Sequence, residues 1–389
     1  MIRKIIQRFV PRVSRFRKFS KEQWKAINAI LLCRTPALGG ELHACANCHC
    51  RHEEKRWHSC RNRHCPVCQG DAARRWIQEQ KEKLLPVGYF HVVFTLPEEL
   101  HPVFKYNRAL LYSLFFKVCA ETLQTFFRDE RHVGGQGGFL GVLHTWGQLL
   151  QFHPHIHWIV PNGGIGPDGR WLRPKRPDGD RFLFPVRAVS KVFRGKFLQK
   201  LEKLYRKGKL RFPDPQSEVY FRDQLNMAAA KKWNVYTKRP FAGPMQVIRY
   251  LGRYTHRIAI GPKRILGISE REVTFQYKDY RDGAKKKVAT MDGEEFVRRF
   301  LEHVLPGNFR KIRYYGWMRG EVIGRLREKL LAWFERQADF ARALAKLLAG
   351  LADGESEAPQ RPCPECKSGL MEFVRKLFAH ELECEAEYG

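Results

Sequence analysis

Phe152-His153-Pro154-His155-Ile156-His157-Trp158-Ile159-Val160 places three histidines in five residues and runs straight into an apolar, β-branched tail. Such a run reads as a strand. Side chains alternate faces along a strand, and residues two apart share a face at roughly 6–7 Å. His155 and His157 therefore stand side by side, with Ile156 and Trp158 packed behind them. Two imidazoles on one face of a rigid strand are half of a divalent-metal site. The plain alternative is an exposed strand face that happens to carry histidines.

A second strand, Phe139-Leu140-Gly141-Val142-Leu143-His144-Thr145-Trp146, lies just upstream. With a turn near Leu149-Leu150 the two strands form an antiparallel hairpin, and His144 falls beside His155 and His157. His144 is then a candidate third ligand, with His153 and Gln148 as competitors. A register slip of one residue would turn His144 away. His153 precedes Pro154 and is expected at the strand's mouth, as a reserve ligand or phosphate contact.

The chain has 389 residues, 43% hydrophobic and 13% aromatic, enough for two or three domains with substantial cores. Its 71 Lys+Arg against 40 Asp+Glu give a formal net charge of +31. An excess of that size points to a polyanionic partner, nucleic acid or an anionic membrane surface. No apolar run approaches the roughly 20 residues that span a bilayer. The basic N-terminus lacks the apolar core and small-residue cleavage site of a secretory signal. The expectation is a cytoplasmic chain facing nucleic acid.

Eleven cysteines in such a chain suggest metal or redox chemistry rather than disulfides. Cys45-x2-Cys48 and Cys65-x2-Cys68 have the spacing of a structural zinc cage built from two tight knuckles. Cys50, Cys60, His49, His52, His58 and His64 share the same loop, so Cys60 or His64 could replace a ligand, or a second ion could bind. Arg61 and Arg63 are among the cations around the site and make it a candidate DNA grip; a zinc staple without a ligand is the alternative. Far downstream, Cys363-Pro364-Glu365-Cys366 is half a knuckle. It suggests a second zinc completed by Cys384 and His380 or by cysteines of the N-terminal module, or else an idle thiol pair.

The segment 1–20 carries seven Lys/Arg and no acid, and reads as an amphipathic helix: a DNA-backbone arm or a solvated tail. Tyr89–Pro97 is a buried strand, and helix follows from about Glu98 to Glu130 with an interruption near His101-Pro102. Further helices are expected over 187–209, 218–233, 292–304 and 321–348, and strands over 258–287.

Gly243-Pro244 opens another helical pattern, in which Tyr250 and Tyr254 lie one turn apart on one face with Arg257 nearby. Paired tyrosines at this spacing are ordinarily packing residues. Beside a metal-bearing strand they acquire chemistry. A tyrosine hydroxyl, with a free pKa of about 10, becomes a nucleophile toward a phosphodiester when a metal and nearby cations take up charge. Arg253, His256 and Arg257 could supply those cations.

These pieces resemble rolling-circle transposases of the HUH endonuclease superfamily, specifically the two-tyrosine insertion-sequence type, the IS-ninety-one kind. The matching stretches are Ser59-Cys60-Arg61-Asn62-Arg63-His64-Cys65-Pro66-Val67-Cys68-Gln69, Val93-Phe94-Thr95-Leu96-Pro97, His144-Thr145-Trp146 and His153-Pro154-His155-Ile156-His157. They continue in Tyr250-Leu251-Gly252-Arg253-Tyr254-Thr255-His256-Arg257, Glu295-Phe296-Val297-Arg298-Arg299-Phe300 and His303-Val304-Leu305-Pro306. They stand in order from about residue 20 to 320. The resemblance implies an α+β fold: a central antiparallel sheet with flanking helices and the histidine strand at its centre, plus a small N-terminal zinc module. It implies Mg or Mn on His155 and His157, and Tyr250 and Tyr254 as nucleophiles that cut single-stranded element ends and target through 5′-phosphotyrosine. The expected division is 1–85, basic arm and zinc module; 86–320, catalytic domain; 321–351, amphipathic helix; and 352–389, linker and tail. The implied setting is the prokaryotic nucleoid, with homo-oligomerisation open. A replication initiator or relaxase shares this chemistry, and a non-enzymatic zinc-dependent nucleic-acid-binding protein is the other alternative.

Overall fold

The computed structural model describes residues 1–81, 83–175, 183–238, 259–335 and 361–379, together with Gly252 and Thr255. The chain forms two compact units: Met1–Arg74 with His256–Val304 and Ala352–Gly389, and Arg75–Thr255 with Leu305–Leu351. These units cut across the expected boundaries, because segments far apart in sequence pair with one another. Among the described residues no helix is long and apolar enough to cross a membrane.

The first unit contains two small sheets. Strands β1 (Gly40–Cys45) and β2 (Glu53–Trp57) form a hairpin. The much later strand Met371–Leu377 pairs antiparallel with the free side of β1. A meander of Ile265–Ile268, Glu272–Asp279 and Lys285–Asp292 makes the second sheet.

The expected basic arm is the helix Ile2–Val13, and it buries Ile2, Ile5, Ile6, Phe9, Val10 and Val13. Its apolar stripe packs on the helix Gly293–Glu302, where a side chain at Gly293 would strike the Phe9 ring. Burial of six apolar residues outweighs the freedom of a solvated tail. Its arginines brace a neighbouring turn: Arg8 donates to the Ser269 carbonyl at 2.7 Å and Arg12 to that of Glu270 at 2.9 Å. Two helix N-termini in this unit are capped by side chains. Ser20 and Gln23 bond reciprocally at 3.2 and 2.9 Å, and Asp292 accepts from the amides of Glu294 and Glu295.

The second unit is built on a five-stranded sheet. Its strands are β3 (Tyr89–Thr95), β4 (Gly138–Trp146), β5 (Phe152–Pro161), Val235–Lys238 and Ile312–Gly316. Every pairing is antiparallel, and β5 is central, between β4 and β3. On one face Phe152, Ile156, Trp158 and Val160 meet the helices Arg108–Arg128 and Val186–Arg206. Phe116 and Phe139 stand edge-on to Trp158 at 6.0 and 6.4 Å. Gly141 faces the indole, and a β-carbon there would lie 3.0 Å from it. The helix restarts at His101-Pro102, after a 3-10 turn over Glu98–Leu100, and a second break falls at Asn107, whose side-chain amide donates to the Val103 and Arg211 carbonyls.

The opposite face is covered at one end by Trp76, Leu84, Trp171, Trp317, Leu330 and Phe334, packed with Leu140 of β4 and Ile159 of β5. The helix Gly320–Glu335 supplies part of this cover. The histidines occupy the same face.

At the end of its strand, Gly316 has φ +59°, and a β-carbon there would collide with the Gly137 carbonyl. Gly316→Ala is expected to destabilise the protein by about 2 kcal/mol or more, from left-handed strain plus that collision. Gly324→Ala, on a helix with open space around it, is expected to stabilise by about 0.5–1 kcal/mol. Denaturant midpoints of the two variants should move in opposite directions; a shared direction would refute the assignment of strain to Gly316.

Candidate functional site

The pairing of β4 with β5 sets His144 opposite His155 and Val142 opposite His157. All three histidines therefore project from one face. Their ring centroids lie 5.3 Å (His144–His155), 4.4 Å (His144–His157) and 4.8 Å (His155–His157) apart. One ring nitrogen from each falls within 4.8 Å of the other two. The hairpin turn runs through Gly147 and Leu150, with Leu150 at φ +61°. A bulge follows, so that Trp146 pairs with Phe152 and β5 holds one residue more than its partner. Pro154, which lacks an amide hydrogen, sits in that irregular stretch, where no ladder bond is required of it. The bulge separates His153 from the regular alternation. Its ring lies 5.1 Å from that of His155 and is outside the three-nitrogen group.

His153 contributes its backbone instead. His155 Nδ1 lies 2.7 Å from the His153 carbonyl oxygen. A carbonyl can only accept, so the proton is on Nδ1 and the Nε2 lone pair is left for a ligand. His157 Nδ1 lies 2.8 Å from Nε2 of His91 on β3, and the two rings are stacked within 6°. Burial holds His155 and His157 neutral: it pushes His155 down to about 3 and His157 well below the usual imidazole value. Neutral imidazoles with oriented Nδ1 atoms are what a divalent cation requires of its ligands. The residues present therefore fit a metal on His144, His155 and His157.

His91 is a site residue that sequence reasoning does not single out; its signal is an imidazole inside the largely apolar run Tyr89–Leu96, at the parity that faces His157. Tyr250, Arg253, Tyr254, His256 and Arg257 lie outside the described residues. Gly252 and Thr255 are helical and buried, and Gly252 abuts the Ile77 side chain.

The cysteines divide differently from the expected cage of Cys45, Cys48, Cys65 and Cys68. Cys65 and Cys68 group with Cys60 and with Cys33, which caps the C-terminus of helix Lys21–Leu32. Cys45 groups with Cys50, Cys363 and Cys366. Cys48 is exposed in the turn between β1 and β2 and belongs to neither cluster. The reason is the hairpin: Cys45 ends β1, the turn places Cys50 rather than Cys48 beside it, and the pair faces the segment leading into Met371–Leu377. His64 is buried but outside both groups, and His380 and Cys384 lie beyond the described residues. In the Cys33 cluster the Cys65 thiol, followed by other sulfur neighbours, pulls Cys68 down to about 5. One thiolate is thus favoured even before a metal neutralises the rest. Arg61 is exposed with φ +49°, and half-buried Arg63 is lowered by desolvation.

Residues 4–96 match the family described as "Transposase zinc-binding domain", and residues 138–324 match "Putative transposase". A "Putative transposase y4qJ" of Sinorhizobium fredii (strain NBRC 101917 / NGR234) is 43% identical over 374 residues, covering 90% of this chain and 89% of that protein. The chain belongs to the insertion-sequence transposases of the IS-ninety-one kind. A "Transposase for insertion sequence element IS801" of Pseudomonas savastanoi pv. phaseolicola is 29% identical over 314 residues, 79% of this chain and 72% of that one. Among solved structures, a conjugative relaxase TrwC in complex with oriT DNA aligns at 14% identity and a TM-score of 0.25, over 42% of this chain and 68% of its own. The transposase is thus a DNA strand-transfer enzyme with an N-terminal zinc-binding domain, and rolling-circle transposition is its reaction.

His91→Gln removes the imidazole that orients His157 while keeping a polar group on the strand. The expected result is Mn binding weaker by about ten- to a hundred-fold, read by calorimetry, with affinity for single-stranded DNA unchanged. An unaltered Mn affinity would show that His157 needs no partner.

Proposed function

We propose that the transposase cuts and rejoins single-stranded element ends and target with Tyr250 and Tyr254 as nucleophiles, working beside the histidine face of the central sheet. The observation that carries this reading is the convergence of three imidazoles on one rigid face, two of them held neutral by burial. A Mg or Mn ion on His144, His155 and His157 would supply Lewis acidity toward a phosphate oxygen.

The chain's own residues do the remainder. The His153 carbonyl accepts from His155 Nδ1 and fixes the tautomer of that ring, and His91 pairs with His157 Nδ1 and holds the orientation of the second ring. One tyrosine oxygen attacks the scissile phosphorus; a Tyr–O–P bond forms and the bond to the 3′ oxygen breaks. The phenolic proton ends on that oxygen, leaving a 5′-phosphotyrosine and a free 3′-OH. Arg253, His256 and Arg257 offset charge on the phosphate in the transition state. Rejoining is the same exchange in reverse, with a 3′-OH as nucleophile, so the phosphotyrosine conserves bond energy and no nucleotide cofactor is needed. The second tyrosine allows a second cut before the first is resolved. The charge of +31 supports a DNA-backbone grip independent of this chemistry, and Arg61 and Arg63 are candidates to take part in it.

Incubated with single-stranded DNA of the element's ends and Mn, the protein should form an adduct that survives denaturing electrophoresis. Tyr250→Phe with Tyr254→Phe should abolish it; an adduct formed by that double variant would place the nucleophile elsewhere. His155→Ala with His157→Ala should stop cleavage while leaving most DNA binding, and metal-dependent cutting at the wild-type rate would remove the metal from these histidines.

A further inference from the structure

The second cysteine cluster joins parts of the chain more than three hundred residues apart, and the zinc-binding match at residues 4–96 does not reach half of it. We propose that Cys45, Cys50, Cys363 and Cys366 bind a second structural zinc, separate from one on Cys33, Cys60, Cys65 and Cys68, and that this ion fastens residues 361–377 to the N-terminal hairpin.

The sulfur spacing is the first support. A tetrahedral zinc with Zn–S bonds of about 2.3 Å sets its sulfurs about 3.8 Å apart. Cys45 and Cys366 Sγ atoms are 3.6 Å apart, and those of Cys50 and Cys363 are 3.8 Å apart. A disulfide would need about 2.05 Å. The first cluster has the same dimension, with 3.7 Å between Cys60 and Cys68.

The loops provide the second support. Each half of the cluster is a turn whose amides point at sulfur: Asn47 N–H lies 3.4 Å from Cys45 Sγ, and Gly369 N–H lies 3.3 Å from Cys366 Sγ. Such bonds stabilise thiolates rather than thiols. The C-terminal turn is closed by Cys363 N–H to the Gly369 carbonyl at 2.7 Å and Lys367 N–H to the Cys363 carbonyl at 3.0 Å, with Lys367 at φ +57°. Gly369 is where the halves meet: a β-carbon there would strike Cys45 Sγ and come within 2.8 Å of Asn47. Asn47 also reaches across to Ser368 Oγ at 3.3 Å.

The strand pairing is the third. Ala46 N–H donates to the Leu370 carbonyl at 2.8 Å, and the ladder continues from Cys45–Met371 to Gly40–Leu377. The knuckles therefore stand at one end of a continuous three-stranded sheet, a ribbon closed by metal. Cys363 is buried, which leaves its thiolate dependent on the ion for charge compensation.

The test counts zinc in the purified full-length protein by plasma mass spectrometry. Two zinc ions per chain are expected, falling to one in Cys363→Ser with Cys366→Ser and staying at two in Cys48→Ser. One zinc in the wild type, or two retained in the double variant, would overturn the proposal. An alkylation map of the unmutated chain guards against misfolding of the variant. Cys45, Cys50 and Cys366 should resist iodoacetamide until a chelator is added, whereas Cys48 reacts throughout. Cys366 reacting as fast as Cys48 in the zinc-loaded chain would overturn it equally.

Discussion

Cross-strand register is the constraint on which the candidate centre depends. With His144 opposite His155, three imidazoles gather on one face and Trp158 fills the core behind them. A slip of one residue would send the histidines into the aromatic layer and bring Trp158 out. The helices Arg108–Arg128 and Val186–Arg206 pack against the apolar parity, so the hydrophobic side of β5 holds the polar side in place. The bulge around Pro154 takes up the irregularity at the strand's entry and leaves the His155–Ile159 stretch in register with both neighbours.

A chain with a charge of +31 builds its candidate centre from uncharged imidazoles. Positive charge spread over the surface draws in a polyanion from any direction. The ligand set for a metal cation cannot use the same means, since fixed positive side chains among the ligands would repel the ion. Burial resolves the conflict by making the protonated form of the histidines costly. His155 then donates through Nδ1 to a backbone carbonyl, and His157 pairs through Nδ1 with His91, which sets how the two rings are turned.

What could be read from the sequence was whatever depends on neighbours along the chain. The alternation Phe152–Val160, the hairpin with Phe139–Trp146 and the placement of His144 beside His155 and His157 follow from local period and turn length. The central position of β5 came through likeness to a family. His91 went unread because its importance rests on a partner 66 residues away, and one polar residue in a strand announces nothing by itself. The cysteines were misassigned for a similar reason. C-x2-C spacing suggested Cys45 with Cys48, but the turn geometry and the pairing of β1 with Met371–Leu377 select Cys50. Cys33 gave no spacing signal at all. The amphipathic pattern of Ile2–Val13 was legible, whereas the helix that covers it comes from residues 293–302.

The three-segment composition of the first unit also orders events during synthesis. Strand β1 leaves the ribosome early, yet its partner on one side emerges only after some 330 further residues, as the register of Gly40 with Leu377 requires. Until then β1 has one bare edge, two of its neighbouring thiols lack their counterparts, and only the local hairpin with β2 can form. A nascent transposase is thus barred by its own topology from closing this sheet until residues 371–377 have been made. Any product that stops short of residue 363 keeps that edge open and the knuckle of Cys45 and Cys50 without its other half.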